Sequence, residues 1–146
     1  MSQPTDPDFW LFTPGPVPQR IWDALLLAAQ GVLNRAYAPY SNYPVGAAAV
    51  THSGRLVLGC NVENASYGLT LCAECSLVSD LVTSGGGQLA AFVCVNQQGT
   101  VIMPCGRCRQ LLLEHGGGTL AILTASGPQT LSEILPQAWG PDDLKN

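Results

Sequence analysis

Two short cysteine-containing segments carry the residues most suited to chemistry. One has the sequence CAE and begins at Cys72, and the other has the sequence PCGRC and contains Cys105 and Cys108. Zinc accepts thiolates in a tetrahedron, and three protein ligands with one open position are typical of a catalytic site. A carboxylate that is not a ligand can carry protons beside such a metal during hydrolysis. The pattern therefore predicts Cys72, Cys105 and Cys108 as zinc ligands and Glu74 as the catalytic carboxylate.

Both segments are expected where a strand leads into a helix. The unpaired N–H groups and the dipole at a helix N-terminus favour thiolates. Cys105 and Cys108 are three residues apart, so they share one helical face, whereas residues two apart do not face each other. Cys72 must therefore be the capping residue of its helix if its sulfur and the Glu74 carboxylate are to converge.

Hydrophobic periodicity predicts the elements that position these segments. The expected order is helix 19–35, a hairpin of strands 45–51 and 56–61, helix 72–83, strand 89–96, helix 105–115, strand 120–124 and helix 131–135. Strands separated by single helices favour parallel crossovers. We therefore predict an α/β protein with a three-layer α/β/α domain and an antiparallel N-terminal hairpin at the edge of its sheet.

Composition limits the partners. The chain has 146 residues, 47% of them hydrophobic, which is enough for one domain with a buried core. Ten acidic and six basic residues give a net charge of -4 without a basic run, so a nucleic-acid surface is not expected. No apolar run approaches the roughly 18 residues of a membrane-spanning helix. Charged residues make up only 11% of the chain, against a typical share of about 25%, which predicts burial of further surface between subunits.

The N-terminal residues 1–18 contain five prolines and lack the features of a secretory signal. The prolines predict an extended arm, separate from a single domain over residues 19–146. We expect a cytoplasmic protein, in which the six cysteines are reduced rather than paired as disulfides. Cys94 lies in an apolar run and is expected in the core.

The cysteine pattern resembles the signature of the zinc-dependent nucleoside and nucleobase deaminases. Its three cysteines are similar to the small homotetrameric cytidine deaminases of pyrimidine salvage. Further stretches similar to that family are 38–48 (APYSNYPVGAA), 61–68 (NVENASYG) and 105–110 (CGRCRQ). The resemblance implies a mixed five-stranded sheet, one Zn²⁺ per subunit, and hydrolysis of free cytidine and 2′-deoxycytidine to uridine and 2′-deoxyuridine with release of ammonia.

The resemblance also implies roles in substrate binding. Asn61 and Glu63 would hold the ribose 3′-hydroxyl, which suits an amide and a carboxylate because a hydroxyl both donates and accepts. Tyr43 would stack on the pyrimidine, where the family more often has phenylalanine. The backbone at Ala73, together with Glu74, would recognise the edge of the base.

Three more residues are implied to act between the subunits of a homotetramer with shared active sites. Ala65 and Tyr67 resemble residues that a subunit contributes to its neighbour's site. Trp139 stands where the family has a phenylalanine that reaches toward an adjoining site. A tryptophan that only seals a subunit contact fits this position equally well.

One position departs from the family pattern. The arginine that usually follows the CAE triplet, and offsets the charge of three thiolates, is replaced by Cys75. Arg109, and as a second candidate Arg107, are expected to supply the missing positive charge, since residues around metal ligands tune the metal.

Two alternatives stay open. Cys75 completes a CxxC…CxxC pair, which could hold a structural zinc in a binding module. The metal site is also shared across the superfamily, so another free base or nucleoside could be the substrate.

Overall fold

The computed structural model describes residue 4 and residues 6–145. Its helices are α1 (Gln19–Leu33), α2 (Ala73–Thr83), α3 (Gly106–Gly116) and α4 (Leu131–Ile134). Its strands are β1 (Val45–Thr51), β2 (Leu56–Cys60), β3 (Leu89–Asn96), β4 (Ala121–Thr124) and β5 (Gly127–Thr130). Short 3₁₀ helices span Pro7–Trp10, Tyr67–Leu69 and Pro141–Leu144. Each element predicted from periodicity is present, with ends that differ by two residues at most. None of the described helices has the length and hydropathy of a membrane span.

The strands form one mixed sheet in the order β2-β1-β3-β4-β5. The predicted hairpin is confirmed, because β1 pairs antiparallel with β2. β1 also pairs antiparallel with β3 along its whole length, and the only parallel neighbours among the described strands are β3 and β4. The expected parallel crossover therefore connects adjacent strands only in the case of β3 and β4. β2 and β3 run in the same direction, but β1 lies between them.

Helices cover both faces of the sheet, which confirms the three-layer architecture. On one face, α1 packs against the side chains of β1 and β3 that include Ala48 and Val93. On the other face, Leu77 of α2 and Leu112 of α3 belong to one cluster with Phe92 of β3, and all three side chains are fully buried. Alternate residues of a strand point to opposite faces, so the central strands are apolar throughout.

Glycines allow the helices to approach the sheet closely. A Cβ atom added to Gly46 would lie 2.1 Å from the carbonyl oxygen of Ala29 in α1. A Cβ atom on Gly59 would lie 2.2 Å from the carbonyl oxygen of Ala73 and 2.4 Å from the backbone nitrogen of Leu77 in α2. β2 therefore packs directly against the first turn of α2.

Two features differ from the predicted elements. β5 was not recognised from the pattern, because its sequence GPQT has low strand propensity, although the resemblance implied the five strands that are observed. The prediction of an extended arm is wrong for Pro7–Trp10, which form a 3₁₀ helix capped by the Asp6 side chain. Trp10 is only 7% exposed and packs with the α1 cluster. Residues 1–3 and 5 of the predicted arm lie outside the described residues, and a domain boundary at residue 18 stays a prediction.

Candidate metal and catalytic site

Three cysteine sulfur atoms meet where α2 and α3 begin. The Sγ atoms of Cys72, Cys105 and Cys108 all lie within 4.8 Å of one another. Cys72 is the N-cap of α2 and Cys105 is the N-cap of α3, and neither side chain makes a capping hydrogen bond. Cys108 is buried in the first turn of α3. The structure thus brings the three predicted ligands together and confirms the predicted cap position of Cys72.

The edge of the sheet fixes the first of these caps. Gly59 lets β2 approach the backbone of α2 without a side chain between them. The hydroxyl of Ser76 in α2 donates a hydrogen bond of 2.7 Å to the carbonyl oxygen of Cys60 at the end of β2. Both contacts place the turn that carries Cys72 and Glu74 against β2.

Burial and hydrogen bonds shift the pKa values of the three thiols. Burial raises the pKa of Cys72 and of Cys108. Burial also acts to raise the pKa of Cys105, but hydrogen bonds from the Cys108 backbone N–H and from the neighbouring thiols lower it overall. Zn–S bonds of about 2.3 Å in a tetrahedron separate the sulfur atoms by about 3.8 Å, which is compatible with three sulfur atoms that lie within 4.8 Å of one another. A soft divalent cation with one open position therefore fits these three sulfur atoms.

A buried carboxylate lies beside the sulfur atoms. Glu74 is in the first turn of α2 and is only 4% exposed. Burial raises the pKa of Cys94 and of Cys108, and the Glu74 carboxylate adds to this rise in both. Glu74 is not a member of the three-sulfur group. It is therefore placed next to the ligands without being one, as a proton carrier must be.

Cys94 belongs to the core, as predicted. It is 1% exposed in the middle of β3, and its thiol donates a hydrogen bond of 3.2 Å to the carbonyl oxygen of Ile102.

The two candidate arginines make different contacts. Arg109 donates hydrogen bonds of 2.8 Å to the carbonyl oxygen of Pro104 and 2.9 Å to that of Ile134, so it joins the loop before Cys105 to α4. Arg107 is exposed, and its Nη2 atom lies 3.8 Å from the sulfur of Cys75. Within residue 4 and residues 6–145, neither arginine donates a hydrogen bond to a sulfur of the three-cysteine group. Their role in offsetting the thiolate charge stays a prediction.

The geometry does not support a four-thiolate site. Among the described residues, the cysteine cluster that could hold a metal ion contains three sulfur atoms, and the sulfur of Cys75 is not one of them. The Cys75 sulfur instead lies beside the guanidinium of Arg107.

The predicted sugar-binding residues both contact the loop between α1 and β1. Asn61 is 8% exposed. Its Oδ1 atom accepts a hydrogen bond of 2.8 Å from the Val45 N–H, and its Nδ2 atom donates one of 3.0 Å to the Tyr43 carbonyl oxygen. The Asn61 side chain therefore holds the backbone on both sides of Pro44.

Glu63 binds an earlier part of the same loop. Its Oε2 atom accepts hydrogen bonds of 2.9 Å from the Tyr40 N–H and 3.2 Å from the Ser41 N–H, and its Oε1 atom accepts one from the Ser41 hydroxyl. The Ser41 hydroxyl makes the largest contribution to lowering the pKa of Glu63. Ser41 had no predicted role, although a hydroxyl residue in a turn between tyrosines and prolines is typical of a side chain that bonds nearby backbone.

The remaining predicted residues lie at the surface or on the backbone of α2. Tyr43 is 48% exposed and Tyr67 76% exposed, and Ala65 is exposed on the loop before Tyr67. Ala73 is buried directly after Cys72. Trp139 is 59% exposed, and its carbonyl oxygen accepts a hydrogen bond of 2.9 Å from Gln110 in α3. Their roles in binding substrate stay predictions.

Comparison with known proteins agrees with this geometry. The family described as the cytidine and deoxycytidylate deaminase zinc-binding region matches residues 21–124. Cytidine deaminase from Mycobacterium tuberculosis is 54% identical over 128 residues, which are 88% of this chain and 96% of that protein. Cytidine deaminase from Sporosarcina psychrophila is 32% identical over 127 residues, 84% of this chain and 93% of that protein.

Solved structures agree as well. The crystal structure of cytidine deaminase from Mycobacterium leprae is 58% identical and superposes with a TM-score of 0.79, covering 80% of this chain and 98% of that one. The corresponding enzyme from Burkholderia pseudomallei is 40% identical with a TM-score of 0.72, covering 80% and 98%. The chain therefore belongs to the cytidine and deoxycytidylate deaminase family of zinc-dependent hydrolases.

Proposed function

We propose that this chain hydrolyses free cytidine and 2′-deoxycytidine to uridine and 2′-deoxyuridine, with release of ammonia. The observation that carries the proposal is the convergence of three cysteine sulfur atoms with a buried, non-ligating Glu74 at two helix N-termini. The relatives that match over most of their length are named cytidine deaminases, which supports the same reaction.

Cys72, Cys105 and Cys108 would hold the zinc ion. When bound, Zn²⁺ supplies Lewis acidity that makes water a nucleophile near neutral pH. Glu74 accepts one proton from the water that attacks C4 of the cytosine ring and delivers it to N3. It then accepts the second proton from the hydroxyl now on C4 and delivers it to the departing amino group, so that C4 becomes a carbonyl carbon. The C4–N bond breaks and ammonia leaves. The burial of Glu74 supports this role, because proton transfer is best controlled where bulk water is excluded.

The sugar and base would be held by neutral contacts and one carboxylate. Asn61 and Glu63 bind the 3′-hydroxyl, Tyr43 stacks on the pyrimidine, and the Ala73 backbone with Glu74 contacts the edge of the base. A carboxylate repels a phosphate group but accepts a hydrogen bond from a hydroxyl. This chemistry favours an unphosphorylated nucleoside over a nucleotide.

We also propose a homotetramer with shared active sites, in which Ala65, Tyr67 and Trp139 contribute to neighbouring sites. The exposure of Tyr67 and Trp139 supports this assembly, as does the exposure of Leu69 and Leu71 in the loop that leads to Cys72. Large exposed apolar patches commonly mark protein interfaces. A cytoplasmic location stays a prediction from the sequence.

The shared sites can be tested by mixing two inactive variants. If Tyr67 serves a neighbouring subunit, Tyr67→Ala subunits exchanged with Glu74→Gln subunits form some sites with both native residues, and deamination should recover. Sedimentation velocity should show a tetramer. A monomer, or a mixture that stays inactive after subunit exchange, would contradict the proposed assembly.

The substrate can be tested by measuring ammonia release from cytidine, deoxycytidine, cytosine, deoxycytidylate, adenosine and guanine. Release from the first two at comparable kcat/KM, and little from deoxycytidylate, is expected. Activity on guanine alone would overturn the assignment, and the absence of any release with zinc bound would favour a structural zinc module.

A further inference from the structure

We infer that Ser41 is a positioning residue for nucleoside binding, because its hydroxyl joins the sugar-binding Glu63 to the backbone of the base-stacking Tyr43. The inference rests on the proposed function and deepens it. Through Ser41, the recognition of the sugar is coupled to that of the base.

Ser41 contacts both partners directly. Its hydroxyl donates a hydrogen bond to Oε1 of Glu63, and the same oxygen accepts one of 3.0 Å from the Tyr43 N–H. The Ser41 N–H also donates to Oε2 of Glu63 at 3.2 Å. One residue therefore binds both carboxylate oxygens and the backbone of the stacking residue. Asn42, between Ser41 and Tyr43, has a positive φ of 53°, which gives the turn that brings the two together.

Tyr43 is also held from its other side. Its carbonyl oxygen accepts a hydrogen bond of 3.0 Å from Asn61, the second residue of the proposed sugar site. The N–H of Tyr43 is thus bound through Ser41 and its carbonyl through Asn61. Because the two sugar-binding residues fix the backbone of Tyr43, a change in either should alter stacking as well as sugar binding.

The hydrogen-bonding positions that remain unused on Glu63 and Asn61 are suited to one hydroxyl group. Each carboxylate oxygen can accept about two hydrogen bonds, so Oε2 of Glu63 is filled by the Tyr40 and Ser41 N–H groups. Counting partners within residue 4 and residues 6–145, Oε1 has one acceptor position left beside its bond from the Ser41 hydroxyl, and Nδ2 of Asn61 has one N–H left beside its bond to Tyr43. A sugar hydroxyl that donates to the first and accepts from the second would complete both groups. Without the Ser41 hydroxyl, the carboxylate loses the contact that fixes this free position.

The test compares Ser41→Ala with Ser41→Thr. Removal of a hydrogen bond to a charged group should raise KM for cytidine by about 10- to 100-fold, with kcat and zinc content nearly unchanged. Threonine keeps the hydroxyl, and Ser41 is exposed enough to accept a methyl group, so Ser41→Thr should restore most of the affinity. In a Glu63→Gln background, Ser41→Ala should have a much smaller effect, because the two residues act through one contact.

Ser126→Ala is the matched control, since Ser126 is exposed in the turn between β4 and β5, and its hydroxyl makes no hydrogen bond within residues 6–145. Its KM should equal that of the unmodified enzyme. An unchanged KM in Ser41→Ala, a fall in kcat alone, or failure of Ser41→Thr to restore affinity would overturn the inference while leaving the proposed function intact. Failure of the unmodified, zinc-loaded enzyme to deaminate cytidine would overturn both.

Discussion

Gly59 sets how closely β2 approaches the first turn of α2, so a methyl group at this position should displace the catalytic residues. In Gly59→Ala the new Cβ would start 2.2 Å from the Ala73 carbonyl oxygen, whereas real Cβ atoms essentially never lie closer than 3.0 Å to another heavy atom. The first turn of α2 must therefore move by about 0.8 Å, the difference between these two distances. Cys72 and Glu74 lie at this turn, so both would move relative to α3.

A displacement of about 1 Å can lower the rate of an enzyme by about 100-fold. We therefore expect kcat/KM of Gly59→Ala for cytidine to fall by about that factor. Overpacking should also lower the free energy of unfolding by about 1–3 kcal/mol. The assay is ammonia release at a temperature where circular dichroism shows the variant to be folded, with zinc content measured on the same sample.

Gly46→Ala is the matched control. Its Cβ would lie 2.1 Å from the Ala29 carbonyl oxygen, a clash of the same size on the opposite face of the sheet. This variant should lose similar stability but keep most of its kcat/KM, because α1 carries none of the predicted site residues. If the two folded variants have equal kcat/KM, or if Gly59→Ala is fully active, the reasoning from helix position to activity is wrong.

Three further predictions concern the metal and the sugar site. Cys75→Ser should keep one zinc ion per subunit by elemental analysis, because its sulfur lies outside the three-cysteine group; loss of the metal would restore the four-thiolate alternative. Arg109→Ala should weaken zinc binding by about tenfold or more in a chelator competition, because its guanidinium fixes the loop before the last two ligands; an unchanged affinity would contradict this role. Carbon-13 NMR should show the pKa of Glu63 below its ordinary value, and Ser41→Ala should raise this pKa. On acidification the Glu63 carboxylate should therefore protonate at a higher pH in the variant, and KM should begin to rise at that higher pH. An unshifted titration would count against the contact between Ser41 and Glu63.

The sequence indicated the site better than it indicated the surroundings of the site. Cysteine spacing is a local signal, and the requirement that Cys72 and Glu74 converge was enough to predict a cap position. The contacts of Ser41 with Glu63, 22 residues away, and of Arg109 with Ile134, 25 residues away, are tertiary. No spacing rule could have found these two contacts, although the hydrogen bond from the Tyr43 N–H to the Ser41 hydroxyl is local.

Most elements of the fold could also be predicted from local patterns, but the pairing of the strands could be predicted only in part. Strands rich in apolar and β-branched residues were recognised, whereas β5, with glycine and proline in its four residues, was not. The neighbours of β1 also could not be read from local patterns, since its pairing with β3 joins residues far apart in the chain. The prolines of the N-terminal segment led to the prediction of an extended arm. The aromatic pair of Phe9 and Trp10 in this segment has a large hydrophobic area, which favours packing over an extended conformation.

The role of Glu74 can be tested most directly by measuring ammonia release from cytidine by zinc-loaded Glu74→Gln. Glutamine preserves the shape of the side chain and leaves the three cysteine ligands in place, but it cannot carry the proton. We expect one zinc ion per subunit and a fall in kcat of about 10²- to 10⁴-fold, the range typical of general acid–base catalysis. Full turnover by the metal-loaded variant would contradict the assignment of Glu74, and with it the proposed mechanism.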